Sequence, residues 1–254
     1  MRTSWIEICF DMMADYIEDF QSLADKHKFI EISTHCLSLS EHVENSFSKS
    51  CEWVSFYTFL AEGFRSVGMY EKSLEIVEKS INLINEFSEE VEISVRVWAY
   101  FIYAVITSNT EDYDTVRLYA EKVVSLYKLH DFKENKDYDL LCNTYRLLSY
   151  AARSECEFEE SLLFLQSASD LSEKVSSDFR INIVHIDVER ALIYLDDESH
   201  DKATQIVENA CEHLELIEMY RVNMSSFPLL LSDIGYIYGQ INKWNKALEF
   251  HLRC

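Results

Sequence analysis

Large rings recur along this chain at intervals of 41 to 45 residues, and small or apolar residues follow each ring at steps of three and seven. Such steps place side chains on one face of an α-helix, whereas the side chains of a strand alternate with a period of two. The rings are called anchors below. The six anchors are Phe29, Tyr70, Tyr113, Phe158, His200 and Trp244. The pattern therefore predicts a chain of repeated helical units.

Other positions keep fixed distances from each anchor. Three places after the anchors stand Ile32, Ser73, Val116, Ser161, Ala203 and Ala247. Nine places before them stand Phe20, Ala61, Ala104, Ser149, Ala191 and Gly235. Thirteen places before them stand Tyr16, Tyr57, Tyr100, Tyr145, Asp187 and Leu231. Because small side chains let a neighbouring helix approach, each unit is predicted to be a hairpin of two helices.

This combination of ring, small residue and anchor resembles the tetratricopeptide repeat (TPR) family. The likeness is best in Tyr57-x-x-Leu60-Ala61-x-x-Phe64 with Tyr70-x-x-Ser73, and in Leu231-x-x-Ile234-Gly235-x-x-Tyr238 with Trp244-x-x-Ala247. The usual repeat has about 34 residues, and these longer units resemble the sensor and scaffold arrays of bacterial signalling proteins. The resemblance implies an all-α fold over residues 1–254, a single right-handed superhelix of about six antiparallel helical hairpins.

Composition agrees with helices joined by short turns. The chain has one proline and four glycines, too few for the many tight turns of a sandwich or a barrel. Gly68 suits the left-handed position that ends a helix. The formal net charge of −22 disfavours direct binding to nucleic acid and docking on an anionic membrane surface.

No two of the seven cysteines have the spacing of a C-x-x-C motif. Reduced thiols in a cytoplasmic protein are the expected state. The N-terminus has no apolar signal core. The longest apolar run, from Val97 to Ile106, is half of the ~20 residues that a membrane-spanning helix needs.

Motifs that carry chemistry are missing from the sequence. It has no glycine-rich phosphate loop, no H-E-x-x-H, no EF-hand loop and no nucleophile elbow. His27, His35 and His42 recur every seven or eight residues, and ordinary surface histidines explain them better than a metal site does. We therefore expect no catalysis, no metal site and no cofactor in this chain.

The first helices of the hairpins line a concave groove, as the resemblance implies. Groove residues are expected fifteen, twelve, eight, five and four places before each anchor. Those positions hold three acidic and three basic residues, which predicts a nearly neutral groove. The acidic set is Asp25, Glu62 and Asp196. The candidate ligand-binding residues are Arg65, Trp98, Asn109, Asn143, Arg146, Tyr150 and Arg153, with Phe101 beside them.

Two interpretations of the groove arginines stay open at this point. Arg146 and Arg153 lie seven residues apart on one helix face, and arginines beside amides and rings suit a peptide backbone or a carboxylate. Alternatively, these arginines pair with neighbouring Glu or Asp residues and serve only the fold.

The function expected from this pattern is a non-catalytic sensory or scaffolding module that binds a protein or peptide segment. As in the bacterial signalling proteins it resembles, it would control a C-terminal output domain such as a diguanylate cyclase or a DNA-binding domain. Phe250 and Leu252 are expected to be exposed at the end of the last hairpin. The chain is thus expected to be the N-terminal part of a longer protein or to form a homodimer. The alternative function is an oligomerisation scaffold whose groove binds no ligand.

Overall fold

The regular structure of the chain is helical wherever it is described. The computed structural model describes residues 23–43, 50–130, 135–174, 181–219 and 227–254. Eleven helices lie within these ranges, and no strand does. They are α1 (Leu23–Val43), α2 (Ser50–Ser66), α3 (Tyr70–Glu86), α4 (Ile93–Ser108), α5 (Tyr113–Leu129), α6 (Asn135–Ser154), α7 (Phe158–Ser172), α8 (Ile181–Asp196), α9 (His200–Met219), α10 (Phe227–Gln240) and α11 (Trp244–Arg253).

The chain divides into two compact units. The first covers Met1–Leu126 and contains α1 to α4 with most of α5, and the second covers Tyr127–Cys254 and contains α6 to α11. Each unit has its own buried apolar clusters. None of the helices in the described ranges combines the length and the apolar character needed to cross a membrane.

Five of the six anchors begin the second helix of a hairpin. Tyr70, Tyr113, Phe158, His200 and Trp244 are the first residues of α3, α5, α7, α9 and α11. The phase predicted from the sequence is therefore confirmed for these five hairpins.

The first anchor does not follow this rule. Phe29 lies inside α1, which begins at Leu23, and thus not at the turn between two helices where the repeat pattern puts an anchor. The ring is fully buried and packs edge-on against Phe64 of α2, with the ring centroids 5.6 Å apart. A Cβ atom on Gly63 would lie 2.1 Å from the Phe29 ring, so glycine is what lets this ring sit against α2. The helix expected around Tyr16 lies outside the described residues.

Small residues close each hairpin, as predicted. Ser73 donates a hydrogen bond of 2.6 Å to the Ala61 carbonyl, and Ser161 donates one of 2.7 Å to the Ser149 carbonyl. Both bonds join the residue three places after an anchor to the residue nine places before it. The equivalent residue of the last hairpin, Ala247, is also buried. The two helices of a hairpin thus approach closely at one repeated point.

A left-handed residue ends the first helix of each of these five hairpins, always two places before the anchor. Their φ angles lie between 57° and 84°. The residues are Gly68, Glu111, Cys156, Glu198 and Asn242. The next backbone N–H donates to the carbonyl five residues earlier, at 2.9 Å for Met69 to Phe64 and 2.8 Å for Lys243 to Tyr238. This is the bond that closes a Schellman-type helix end, and the sequence predicted it only at Gly68.

The end of the last hairpin differs from its prediction at one residue. Phe250 is 6% exposed and stacks on Tyr238, with the ring centroids 5.7 Å apart, so its expected exposure is wrong. The physical reason is that α11 turns Phe250 back against α10. Leu252, on another face of α11, is 78% exposed, as expected.

The left-handed turns give a pair of opposite predictions. Glu198→Gly should raise the free energy of unfolding by about 0.5 kcal/mol, because glycine tolerates positive φ without the steric cost that other residues meet. Gly68→Ala should lower it by about 1 kcal/mol, although no atom lies within 4 Å of the added Cβ. Urea unfolding followed by circular dichroism measures both changes.

A matched control separates turn geometry from glycine itself. Glu212 is exposed within α9, where Glu212→Gly should cost about 1 kcal/mol of stability. If Glu198→Gly destabilised the chain as much as Glu212→Gly, the left-handed turn would not be the source of strain that we describe.

Candidate groove on the second unit

A cavity of about 460 Å³ lies between the first helices of the three hairpins in the second unit. Its wall comes from α6, α8 and α10, and the chain brings these helices together because each begins a successive hairpin. The lining residues are Asp139, Asn143, Arg146, Asn182, His185, Val188, Glu189, Leu229, Leu230 and Asp233. The cavity is therefore part of the predicted concave face.

The opposite side of α6 holds that helix in place. Cys142, next to Asn143, is fully buried with Leu165 and Ala168 of α7. Its thiol donates to the Ala168 carbonyl at 3.5 Å, and burial raises the pKa of Cys142 to about 12. A protonated, buried thiol is a packing group rather than a nucleophile.

Arg146 is bound to the neighbouring repeat. Its Nη2 and Nε lie 2.6 and 3.0 Å from Oε1 of Glu189 on α8, and its Nη1 donates to Asn143 at 2.8 Å. The side chains of Arg146 and Glu189 are only 19% and 30% exposed. Although burial opposes the charge, the Glu189 carboxylate raises the pKa of Arg146 above its usual value. This pair forms one wall of the cavity and needs no ligand to be satisfied.

Two further contacts join α6 to α8 with the same separation in sequence. Asn182 donates to Asp139 at 2.6 Å, and Arg153 donates to Asp196 at 2.5 Å. Each of the three pairs, including Arg146 with Glu189, joins residues 43 positions apart, and successive pairs are seven residues apart on each helix. We call these three pairs the ladder. Residues seven apart lie on one helix face, so the ladder runs along the contact between α6 and α8.

The ladder supplies a carboxylate partner for each of the two groove arginines, Arg146 and Arg153. Both guanidinium groups pair with carboxylates of the next repeat, which is the structural interpretation left open by the sequence. Asn143 belongs to the same network, since its amide donates to the Asp139 carbonyl at 3.0 Å. Tyr150, on α6 between the two arginines, is 40% exposed.

The other predicted site residues belong to the first unit. Arg65 pairs with Glu62 one turn earlier on α2, at 2.6 Å, and this bond raises the pKa of Arg65. Trp98 on α4 is 40% exposed, and its ring lies 6.0 Å from that of Phe101. Asn109, at the end of α4, donates to the Val105 carbonyl at 2.7 Å.

The sequence reasoning missed the acidic side of the groove. Glu189 and Asp233 both stand eleven places before their anchors, a position that was not counted as facing the groove. With Asp139 they give the cavity three carboxylates against one guanidinium, so the predicted neutrality fails in the second unit. The 43-residue spacing of oppositely charged residues was the available signal for Glu189.

Two titratable groups in the cavity are shifted by their surroundings. Burial and the charge of Arg146 lower the pKa of His185 to about 3, so this imidazole is neutral at physiological pH. Partial desolvation and the nearby Glu189 carboxylate raise the pKa of Asp233, against the opposing effect of Arg153. Within the described ranges, no group of three or more His, Cys, Asp or Glu side chains is arranged to hold a metal ion.

Solved structures with the same fold cover nearly the whole chain. RapI in its apo form matches with a TM-score of 0.69 and 13% identity, over 99% of this chain and 83% of that one. BtubC (BKLC) from P. vanneervenii matches with a TM-score of 0.60 and 12% identity, over 99% and 90%. The TPR-sensor STAND protein of Pyrococcus horikoshii matches with a TM-score of 0.67 and 13% identity, over 96% of this chain and 35% of that one.

These matches confirm the all-α, TPR-like fold that the sequence pattern predicted. At 12–13% identity these likenesses show the fold alone. No family model and no curated protein sequence matches the chain.

The ladder predicts an energetic coupling between neighbouring repeats. Arg146→Ala should lower the free energy of unfolding by about 2 kcal/mol, because Glu189 then keeps a partly buried charge without its partner. Glu189→Ala should also destabilise, and the double variant should lose less than the sum of the two. Urea unfolding of the four proteins measures this coupling, and strictly additive losses would show that the pair contributes nothing to the fold.

His185 predicts a pH dependence with a definite sign. In the unfolded chain this imidazole takes up a proton below about pH 6.5, whereas in the folded chain it does so only near pH 3. Its contribution to stability is therefore lost as the pH falls through that window, by at most about 1.4 kcal/mol per pH unit. His185→Gln should flatten the decline in stability between pH 6.5 and 4, whereas curves parallel to the wild type would contradict the shift.

Proposed function

We propose that the chain is a non-catalytic protein-interaction module, and that the groove of its second unit binds a protein or peptide segment. The observation that supports this is the cavity of about 460 Å³ between α6, α8 and α10. A concave site lined by apolar side chains and a few placed polar groups is the usual form of a binding pocket.

The wall of this groove is suited to a peptide because it offers both apolar surface and polar groups. Leu229 on α10 is 71% exposed and lines the cavity, so an apolar side chain of a partner has surface to cover. Asn143 and Asn182 supply polar groups on the other two helices. The ladder already fixes the arginines, so little side-chain order has to be gained on binding.

A sensory or scaffolding role in bacterial signalling is part of the same proposal. The sensory part rests on analogy of fold with the STAND protein, whose own description names a TPR sensor. The bacterial context rests on the resemblance of the long repeats to bacterial sensor arrays, and fold analogy alone does not fix a function. Control of a C-terminal output domain, a diguanylate cyclase or a DNA-binding domain, and a cytoplasmic location remain proposals of the same kind. The acidic net charge of −22 supports a protein partner rather than nucleic acid.

One observation favours the alternative function, an oligomerisation scaffold. Trp244, Leu248 and Leu252 recur every four residues along α11 and are 65%, 60% and 78% exposed. Residues four apart share one helix face, and a contiguous exposed apolar face is typical of an association surface. This face lies on α11, whereas the cavity is lined by α6, α8 and α10, so the two functions are separable by mutation.

The groove function is tested by selection of peptides. A library of random 12-residue peptides on phage is panned against the whole chain, and enriched peptides are synthesised and titrated by fluorescence anisotropy. Leu229→Gln should weaken their binding roughly tenfold, since burying a leucine contributes about 1.5–3 kcal/mol. Leu163→Gln is the matched control, because Leu163 on α7 is 68% exposed and does not line the cavity.

Two outcomes would contradict the groove proposal. One is a selection without enrichment, and the other is binding that Leu229→Gln and Leu163→Gln affect equally. Sedimentation of the wild type and of Leu252→Gln tests the scaffold alternative. Self-association that Leu252→Gln abolishes, together with no enriched peptide, would favour the scaffold.

A further inference from the structure

The cavity of the second unit carries an excess of negative charge. Three carboxylates line it, those of Asp139, Glu189 and Asp233, and Arg146 is the one guanidinium among the lining residues. The remaining titratable group, His185, is neutral because burial and Arg146 lower its pKa to about 3. A site with this balance attracts cations and repels anions.

The guanidinium group of Arg146, the positive charge in the cavity, is already hydrogen-bonded within the chain. Both Nε and Nη2 of Arg146 donate to Glu189, and Nη1 donates to Asn143. A carboxylate of a partner would have to displace Glu189, and that residue would then keep a partly buried, unpaired charge. The expectation that the groove arginines read a carboxylate is therefore disfavoured by their present contacts.

Asp233 is the third carboxylate of the cavity, beside Asp139 and Glu189, which both accept hydrogen bonds. It makes no hydrogen bond and no ion pair with any residue of the described ranges. It stands four residues after Leu229 on α10, so the two side chains share one helix face. Desolvation and the neighbouring Glu189 carboxylate raise the pKa of Asp233 against the opposing effect of Arg153, so a further positive charge beside it would favour its charged form.

We propose that this groove selects a partner segment with a lysine or arginine side chain, which pairs with Asp233 while its aliphatic stem lies on Leu229. Long basic side chains bury their methylene groups on apolar surface and keep the charge at a polar edge. The cavity supplies both parts of such a site, an exposed leucine and an unpaired carboxylate one turn apart. The inference rests on the proposed function and names the chemistry of its partner.

The charge of the whole chain acts in the same direction. A net charge of −22 accelerates the approach of a basic segment and slows that of an acidic one. This long-range effect is not specific to the groove, because any surface carboxylate contributes to it. The test must therefore separate Asp233 from the net charge.

The probes are peptides selected from the random library against the whole chain, each synthesised as selected and with its Lys and Arg residues replaced by glutamine. Asp233→Asn removes one charge from the cavity without a change of shape. Glu212→Gln removes one charge from α9, where Glu212 is exposed and does not line the cavity. Anisotropy titrations at 0.15 M salt compare both variants with the wild type, since this ionic strength screens distant charges.

The expected result has three parts. Selected peptides are enriched in Lys or Arg, the glutamine versions bind the wild type roughly tenfold more weakly, and Asp233→Asn weakens the basic peptides by a similar factor. Asp233→Asn leaves the glutamine versions unchanged, because their contact with the carboxylate is already gone. Glu212→Gln leaves every affinity unchanged.

The contrary results are distinguishable. Peptides that lack Lys and Arg, but whose binding is weakened by Leu229→Gln, overturn this inference and leave the proposed function standing. Equal effects of Asp233→Asn and Glu212→Gln also overturn it, since they would reflect net charge alone. The absence of any selected peptide, or binding indifferent to Leu229→Gln, overturns the proposed function and this inference with it.

Discussion

The alignment of α6 with α8 is the constraint on which the groove of the second unit depends. Three contacts set it, each between residues 43 positions apart, and the best connected is the pair of Arg146 with Glu189. A shift of either helix along its axis would break all three contacts at once. Because the pairs are partly buried, their loss would leave uncompensated charge. The polar side chains of the groove are thus held in place before any ligand arrives.

The turns and the small residues make this alignment repeatable. A left-handed residue two places before each of five anchors ends the first helix of its hairpin. The second helix therefore leaves this turn in a similar way in all five hairpins. The small pairs, such as Ser161 with Ser149, then bring the two helices into close contact. Successive hairpins of similar geometry place their first helices side by side, and the cavity follows between α6, α8 and α10.

The periodic features of the fold could be read from the sequence because they depend on local spacing. The anchors and the small residues predicted the helices and their pairing into hairpins, and Gly68 predicted the end of one helix. The four left-handed turns at other residue types carried no such signal, since a glutamate or cysteine at positive φ looks like any other turn residue. Phe29 was misplaced because its environment is set by a glycine 34 positions later, Gly63.

The candidate site was predicted less well than the fold because its chemistry lies in contacts between repeats. Of the candidate ligand-binding residues, Asn143 and Arg146 line the cavity. The sequence did not identify Glu189 and Asp139 as the partners, although it left open that the groove arginines pair with neighbouring carboxylates. Asp233 lay one position away from the residues counted as facing the groove, so a nearly neutral groove was predicted where the cavity of the second unit has three carboxylates and one guanidinium.

The most direct test of this account is a crystal structure of the chain with a selected basic peptide bound. The account predicts the peptide across α6, α8 and α10, with its basic side chain on Asp233 and the bonds between Arg146 and Glu189 unbroken. A peptide bound elsewhere on the chain, or an Arg146 that has left Glu189 to hold a carboxylate of the peptide, would contradict it.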